Sequence, residues 1–138
     1  MAHSRRASGV NAWSYAWCCG IIFALSHQLT DRGALSWDRS QATSLMFGDL
    51  IPAMERLVKQ PSGFTNTGWD EIQIDPATVR TFLAAMFRYL SHSGSLPLRL
   101  MVRGFLQVAL FLDYRASGEW YPVPDGFDDI TTDLHLIT

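Results

Sequence analysis

The sequence has few residues that bind metals or form disulfides. It holds two cysteines among 138 residues, and these are neighbours, Cys18 and Cys19, whose mutual disulfide would require a strained ring. The four histidines are scattered, and no CxxC or HExxH spacing occurs. We therefore expect no disulfide framework, no metal site and no cofactor.

Signatures of catalysis are lacking as well. The turn at Ser93-Gly94-Ser95 has neither the glycines nor the lysine of a P-loop. Cys18 and Cys19 have apolar neighbours, which favour buried, inert thiols over a nucleophile. Asp128 and Asp129 are adjacent, so their carboxylates point in different directions and make a poor acid/base pair. The sequence predicts a protein that is not an enzyme.

Apolar residues, in contrast, are abundant. Hydrophobic residues make up 48% of the chain and aromatic residues 12%, which is ample for one sizeable core. The apolar residues recur mainly at steps of three and four, the spacing of amphipathic helices. We predict a single all-α domain over residues 1–138, a compact bundle of about four to five helices with an extended acidic and aromatic tail from about residue 118 to 138.

Four long helices are predicted. The first covers about residues 10–29, and the second about 40–59, where Pro52 predicts a kink or a restart capped by Asp49. The third begins at Pro76 behind the N-cap Asp75 and ends at Ser93-Gly94-Ser95. The fourth, about 97–114, is apolar almost all round and is predicted to be buried. Residues 61–75 are rich in turn formers and predict a long irregular connection, pinned to the core by Trp69, Ile72 and Ile74.

The uncharged run over residues 9–30 allows three interpretations. A membrane anchor needs about 20 predominantly apolar residues, but polar residues interrupt this run. A cleaved signal peptide is disfavoured by aromatic residues before and within its apolar part. We expect a buried first helix, no membrane attachment and a cytoplasmic protein. The interrupting residues are Asn11, Ser14, Ser26, His27 and Gln28, and the aromatic ones are Trp13, Tyr15 and Trp17.

Charge is strongly segregated along the chain. The net charge of −2 and the pI near 6.0 argue against a protein that binds nucleic acid tightly on its own. Residues 76–112, however, carry four arginines and no acidic residue, whereas residues 113–138 carry one arginine and six acidic residues. The whole-chain sum therefore conceals a basic stretch next to an acidic one.

Helical spacing places part of the basic stretch on one stripe. Arg99, Arg103 and Gln107 are four residues apart on the fourth helix, and Arg80 and Arg88 lie on one flank of the third. Arginine binds phosphate through a planar fork of donors, so these five residues form a candidate nucleic-acid-binding site. The alternative is that they are the solvated side of otherwise apolar helices.

The acidic tail is a candidate partner-binding surface. Its members are Trp120, Tyr121, Phe127, Asp128 and Asp129. Its carboxylates could shield the arginine stripe within the molecule, dock on a basic neighbouring subunit, or simply be solvated.

The fourth helix also resembles a known family. Leu96-Pro97, Met101, Gly104-Phe105-Leu106-Gln107 and Phe111-Leu112 are similar to the pattern in the helical small subunit of CRISPR effector complexes, especially the type III Cmr-type small subunit. The resemblance covers about 20 residues, and Arg103 departs from it, since the family often has Asn there.

The resemblance implies a non-catalytic protein that stacks with copies of itself and contacts the backbone of a guide RNA or target strand. The sequence thus predicts a nucleic-acid-contacting subunit of a ribonucleoprotein assembly, with other protein subunits as partners. The alternative is a small protein-binding inhibitor or immunity protein, of the kind that phages and mobile elements encode, which would use its acidic aromatic tail.

Overall fold

A computed structural model describes residues 22–25, 34–36, 41–66, 71–132 and 134. The fold is compact and mostly helical, as predicted. The described helices are α1 (Gln41–Val58), α2 (Pro76–Ser93), α3 (Leu96–Ser117) and the short α4 (Asp128–Thr131). The described strands are β1 (Ile22–Leu25), β2 (Ala34–Ser36), β3 (Phe64–Asn66) and β4 (Glu71–Ile74).

The ends of α2 and α3 follow from capping residues. Asp75 occupies the N-cap position with an extended backbone and precedes Pro76, as the sequence predicts; its carboxylate accepts a hydrogen bond from the Thr78 hydroxyl and not from a backbone amide of the first turn. Gly94 ends α2 in the left-handed conformation, with a φ of 60°. Ser95 then caps α3, because its hydroxyl oxygen accepts a hydrogen bond from the Leu98 amide at 3.3 Å. Two long helices therefore form a tight antiparallel hairpin.

A small sheet lies where the sequence analysis placed no strands. Its order is β2-β1-β4-β3; β1 runs antiparallel to β2 and parallel to β4, and β3 runs antiparallel to β4. The predicted helix over 10–29 is wrong at β1, and the predicted irregular connection over 61–75 contains β3 and β4. The remainder of 10–29 and Trp69 lie outside the described residues.

Alternation of apolar and polar residues explains β4. Ile72 and Ile74 point to one face and are fully buried, while Gln73 between them is half-buried, so the two isoleucines do pin this segment to the core. Gly63 leads into β3 with a φ of +82°, and a Cβ there would lie 2.7 Å from the Val79 amide nitrogen and 2.8 Å from the Asp75 carbonyl oxygen. Only glycine fits this approach of the loop to the start of α2.

The core joins α1, α2 and α3 through aromatic rings. Phe47 stacks on Phe105 at 4.9 Å between ring centroids and meets Phe64 edge-on at 5.4 Å. Phe105 also meets Phe82 edge-on at 6.2 Å. α1 continues through Pro52, so Asp49 lies inside the helix and caps no restart. These ring contacts hold the first half of α1 against the centre of α3.

The chain after α3 packs back on the helices. We call residues 118–132 the C-terminal segment. Phe127 and Ile130 are buried within the core, and Tyr121 stacks on Phe87 with 5.9 Å between centroids. The predicted tail is extended over residues 120–124, but the prediction is wrong at α4 (Asp128–Thr131), where the chain is helical, and the tail is an integral layer of the domain.

Candidate binding surfaces

Arg80 holds the beginning of the C-terminal segment. Its Nη2 donates hydrogen bonds to Asp113 Oδ2 at 3.2 Å, to the Ser117 hydroxyl at 3.2 Å and to the Glu119 carbonyl at 3.0 Å. Its guanidinium also lies 6.0 Å from the Tyr121 ring centroid. The side chain thus links α2 to the end of α3 and to the chain beyond it.

Asp113 is the buried partner of Arg80. Its side chain is inaccessible to solvent, and Oδ1 has no hydrogen-bond partner among the described residues. Burial raises the pKa of this carboxyl, and the charge and hydrogen bond of Arg80 act in the opposite direction. Burial likewise raises the pKa of Tyr121, against the charges of Arg80 and Arg88.

Arg99 holds the other end of the C-terminal segment. It donates hydrogen bonds to both carboxylate oxygens of Asp129 and to the Gly126 carbonyl, and its guanidinium lies 4.4 Å from the Phe127 ring centroid. Hydrogen bonding from Arg99 holds the pKa of the Asp129 carboxyl below its usual value. About two turns further along α3, Gln107 Nε2 donates a hydrogen bond to the Ile130 carbonyl oxygen at 3.1 Å.

The predicted nucleic-acid-binding residues do not form one free surface. Arg80, Arg99 and Gln107 bind the C-terminal segment, at two separate places. Arg103 is half-buried, and its charge contributes to the low pKa of Asp129. Arg88 is exposed and lies with a different set of neighbours, described below. The sequence analysis left three alternatives for the acidic tail. Asp129 follows the first of them, because it binds Arg99 of the arginine stripe within the same molecule.

The aromatic residues predicted to bind a partner pack mostly on the domain itself. Phe127 is buried and meets Phe87 edge-on at 5.0 Å, and Trp120 stacks on Tyr114 at 4.3 Å. Tyr121 is half-buried, as is Asp129, which Arg99 binds, and Asp128 is exposed. Of the predicted set, Trp120, which is 41% exposed, and Asp128 are the most accessible side chains.

The first turns of α3 expose apolar side chains that the sequence analysis placed in the core. Leu96, Leu100 and Met101 are 63%, 58% and 78% exposed. At Gly104, one turn further on, an added Cβ would meet no atom within 4 Å. We call these four residues the apolar face of α3. A helix that is apolar all round gives no sequence signal of which side is covered, and so the face was not predicted.

A second surface is a groove between the end of α1 and the second half of α2. We call it the basic groove; it has a volume of about 450 Å³. It is lined by Leu57, Val58, Lys59, Ala85, Arg88, Tyr89 and His92. His92 Nδ1 lies 2.7 Å from the Arg88 carbonyl oxygen, which can only accept, so Nδ1 carries a proton in this contact. The sequence analysis included Arg88 but missed Lys59 and His92, since nothing in the spacing links α1 to α2.

The described part of the chain offers neither a membrane-spanning helix nor a metal-binding group. No helix there is both long enough and apolar enough to cross a membrane. No group of three His, Cys, Asp or Glu side chains there could hold a metal ion.

Fold and surfaces together define a small, mostly helical domain with a short sheet and two candidate binding surfaces. The chain belongs to a protein family of unknown function (DUF6086), whose profile matches residues 25–135. Comparison with curated proteins and with solved structures found no match.

Proposed function

We propose that the protein is a non-catalytic subunit that associates with copies of itself through the apolar face of α3. The observation that carries the proposal is the exposure of Leu96, Leu100 and Met101 on the first two turns of one helix. Burying such a side chain gains about 1.5–3 kcal/mol relative to leaving it in water. A contiguous apolar patch of this kind on a small domain is typical of an interaction surface.

Gly104 favours a second copy as the partner. Glycine inside a helix costs about 0.5–1 kcal/mol relative to alanine, and here no close contact within the described residues explains it. A glycine on an exposed apolar face lets another helix backbone approach closely. Because Leu100 lies one turn before Gly104 on the same face, two crossed α3 helices can each place Leu100 over the other's Gly104. Such a contact uses the same patch on both copies, as two-fold dimers do.

Charge around the face is compatible with this pairing. α3 carries three arginines, and its one carboxylate, Asp113, is buried. Two such helices would repel each other if their charges were uncompensated. Asp129 from α4 binds Arg99, and the charge of Arg103 lowers the pKa of the same carboxyl, so both arginines lie near a compensating negative charge. The repulsion between two crossed α3 helices is thereby reduced.

The experiment is a mass measurement by size-exclusion chromatography with light scattering. The double variant Leu100→Lys/Met101→Lys places two charges on the face, and we expect it to be monomeric where the native protein is dimeric. Ala77→Lys/Thr81→Lys adds the same charge at exposed positions of α2 and serves as the matched control. A native protein that is monomeric throughout, or a dimer that tolerates the α3 variant and fails with the α2 variant, would contradict the proposal.

Contact with a guide RNA or target strand, the resemblance to a CRISPR small subunit, and a cytoplasmic location stay predictions from the sequence, and the proposal does not rest on them. It shares with the resemblance only the packing of a non-enzymatic protein against its own copies. An inhibitor acting through the tail stays a prediction too, although most of the tail's aromatic residues pack inward.

A further inference from the structure

The basic groove combines an apolar floor with a cationic rim. Leu57, Val58 and Ala85 provide aliphatic surface, while Lys59 and Arg88 provide the two permanent charges. Among the described residues, no acidic side chain lines the groove. The nearest carboxylate in sequence, Glu55, accepts a hydrogen bond from the Ser62 amide at 3.0 Å and is thereby directed to the loop after α1.

The cations of the groove differ from Arg80 and Arg99. Arg80 and Arg99 each form an ion pair with a carboxylate. Lys59 and Arg88 form no ion pair with any residue that the structure describes. Arg88 acts electrostatically on Tyr121, but that phenol has a raised pKa and is neutral near pH 7, so it does not neutralise the guanidinium. Within the part of the chain that the structure describes, the groove therefore holds positive charge without a paired carboxylate.

The end of α1 places Lys59 at the groove. Lys59 directly follows α1 and has a φ of 55°, the one positive φ at a residue other than glycine in the described chain. Glycine normally occupies this position, because the left-handed conformation costs a side-chain-bearing residue about 1–2 kcal/mol. This conformation ends α1, because it lets the Gln60 amide donate to the Glu55 carbonyl at 3.3 Å, and it leaves a lysine at the rim of the groove.

Tyr89 adds an aromatic wall. Its side chain is 40% exposed and lines the groove together with Arg88 and His92 of the same helix. A tyrosine ring offers apolar surface to a flat or aliphatic group and a hydroxyl to a polar one. The volume of about 450 Å³ falls in the range of small-molecule sites.

We propose that the basic groove binds a small organic anion, in which a phosphate or carboxylate group contacts Lys59 and Arg88 and an apolar body lies on Leu57, Val58 and Ala85. Arg88 can donate two parallel hydrogen bonds to either anionic group. The apolar floor adds affinity for the body of the molecule, which an inorganic anion lacks. This inference is independent of self-association, because the groove is formed by α1 and α2 and the apolar face by α3.

The test is calorimetric titration of the full chain with four probes: 1-naphthyl phosphate, 1-naphthoate, 1-naphthol and inorganic phosphate. We expect 1-naphthyl phosphate or 1-naphthoate to bind at least tenfold more tightly than 1-naphthol and inorganic phosphate, and the tighter of the two identifies the anionic group. Equal binding of naphthol, or of phosphate alone, would overturn the proposal.

Variants assign the binding to the groove. Arg88→Gln and Lys59→Gly should each weaken binding about tenfold, and Lys59→Gly should leave the melting temperature unchanged or higher, because glycine relieves the backbone strain. Arg115→Gln, at an exposed position of α3, is the charge-matched control. Unaltered affinity in Arg88→Gln would contradict the site.

A polymer is the rival ligand. A single-stranded oligonucleotide that binds through Arg88 without competition from the naphthyl probes would overturn the small-anion site. The variant Leu100→Lys/Met101→Lys should bind the probes with native affinity. Loss of self-association and loss of probe binding can therefore be measured independently.

Discussion

Arg99 donates hydrogen bonds to both carboxylate oxygens of Asp129, although 30 residues separate them in the sequence. The pair closes the C-terminal segment over α3, together with the stacking of Arg99 on Phe127. The arginine-rich stretch and the acidic tail, which the sequence shows as opposite charges, thus meet within one molecule.

A double-mutant cycle measures the strength of this pair. We expect Arg99→Gln and Asp129→Asn each to lower the free energy of unfolding by about 0.5–1.5 kcal/mol, a modest loss because both side chains are partly exposed. The double variant should lose little more than either single one, in urea unfolding. Strictly additive losses would show that the two residues act independently.

The two partnered aspartates predict opposite pH dependences. The pKa of Asp129 is lowered in the folded state, so its stabilising contribution is present above the ordinary aspartate value and is lost as pH falls through the folded-state value. The pKa of Asp113 is raised, so the folded state holds its proton longer and stability falls as pH rises above the ordinary value near 3.8.

Free energies of unfolding measured between about pH 3 and pH 7 test the direction of the pH dependence for both aspartates. Relative to the native protein, Asp129→Asn should become less stable with rising pH, and Asp113→Asn should become relatively more stable. Parallel pH profiles for the two variants would contradict the assigned environments.

Glycines 63 and 104 predict opposite responses to alanine. Gly63→Ala should destabilise the fold by at least about 2 kcal/mol, because it combines a positive φ with a Cβ too close to backbone atoms at Asp75 and Val79. Gly104→Ala meets no atom and should raise the thermal stability of the monomer, by about 0.5–1 kcal/mol. Thermal unfolding of a monomeric background, such as Leu100→Lys/Met101→Lys, checks both.

Local sequence signals predicted α1, α2 and α3, but not the short α4. Asp75-Pro76 and Gly94 mark the ends of α2, and the structure confirms both. The strands were missed for physical reasons: β1 lies in an apolar run that also fits a helical period, and β3 and β4 are only three and four residues long. Such short strands are stabilised by pairing with strands from other parts of the sequence, and the intrinsic β propensity of their own residues is too weak to predict them.

The binding surfaces were less predictable than the helices. Charge counting found the basic and acidic stretches, but it could not show that Arg99 and Asp129 pair with each other. Nor could it show that Arg88 of α2 lines the same groove as Lys59, which directly follows α1. The exposure of Leu100 and Met101 depends on which side of an apolar helix the rest of the chain covers, and periodicity does not contain that information.

Sedimentation velocity of the full chain across a hundredfold concentration range tests self-association through α3 most directly. The native protein should shift from monomer to dimer with rising concentration. Gly104→Leu, which fills the place where the two helices cross, should stay monomeric while remaining folded by circular dichroism. A native chain that stays monomeric, or a Gly104→Leu variant that dimerises like the native protein, would contradict the proposed role of the apolar face.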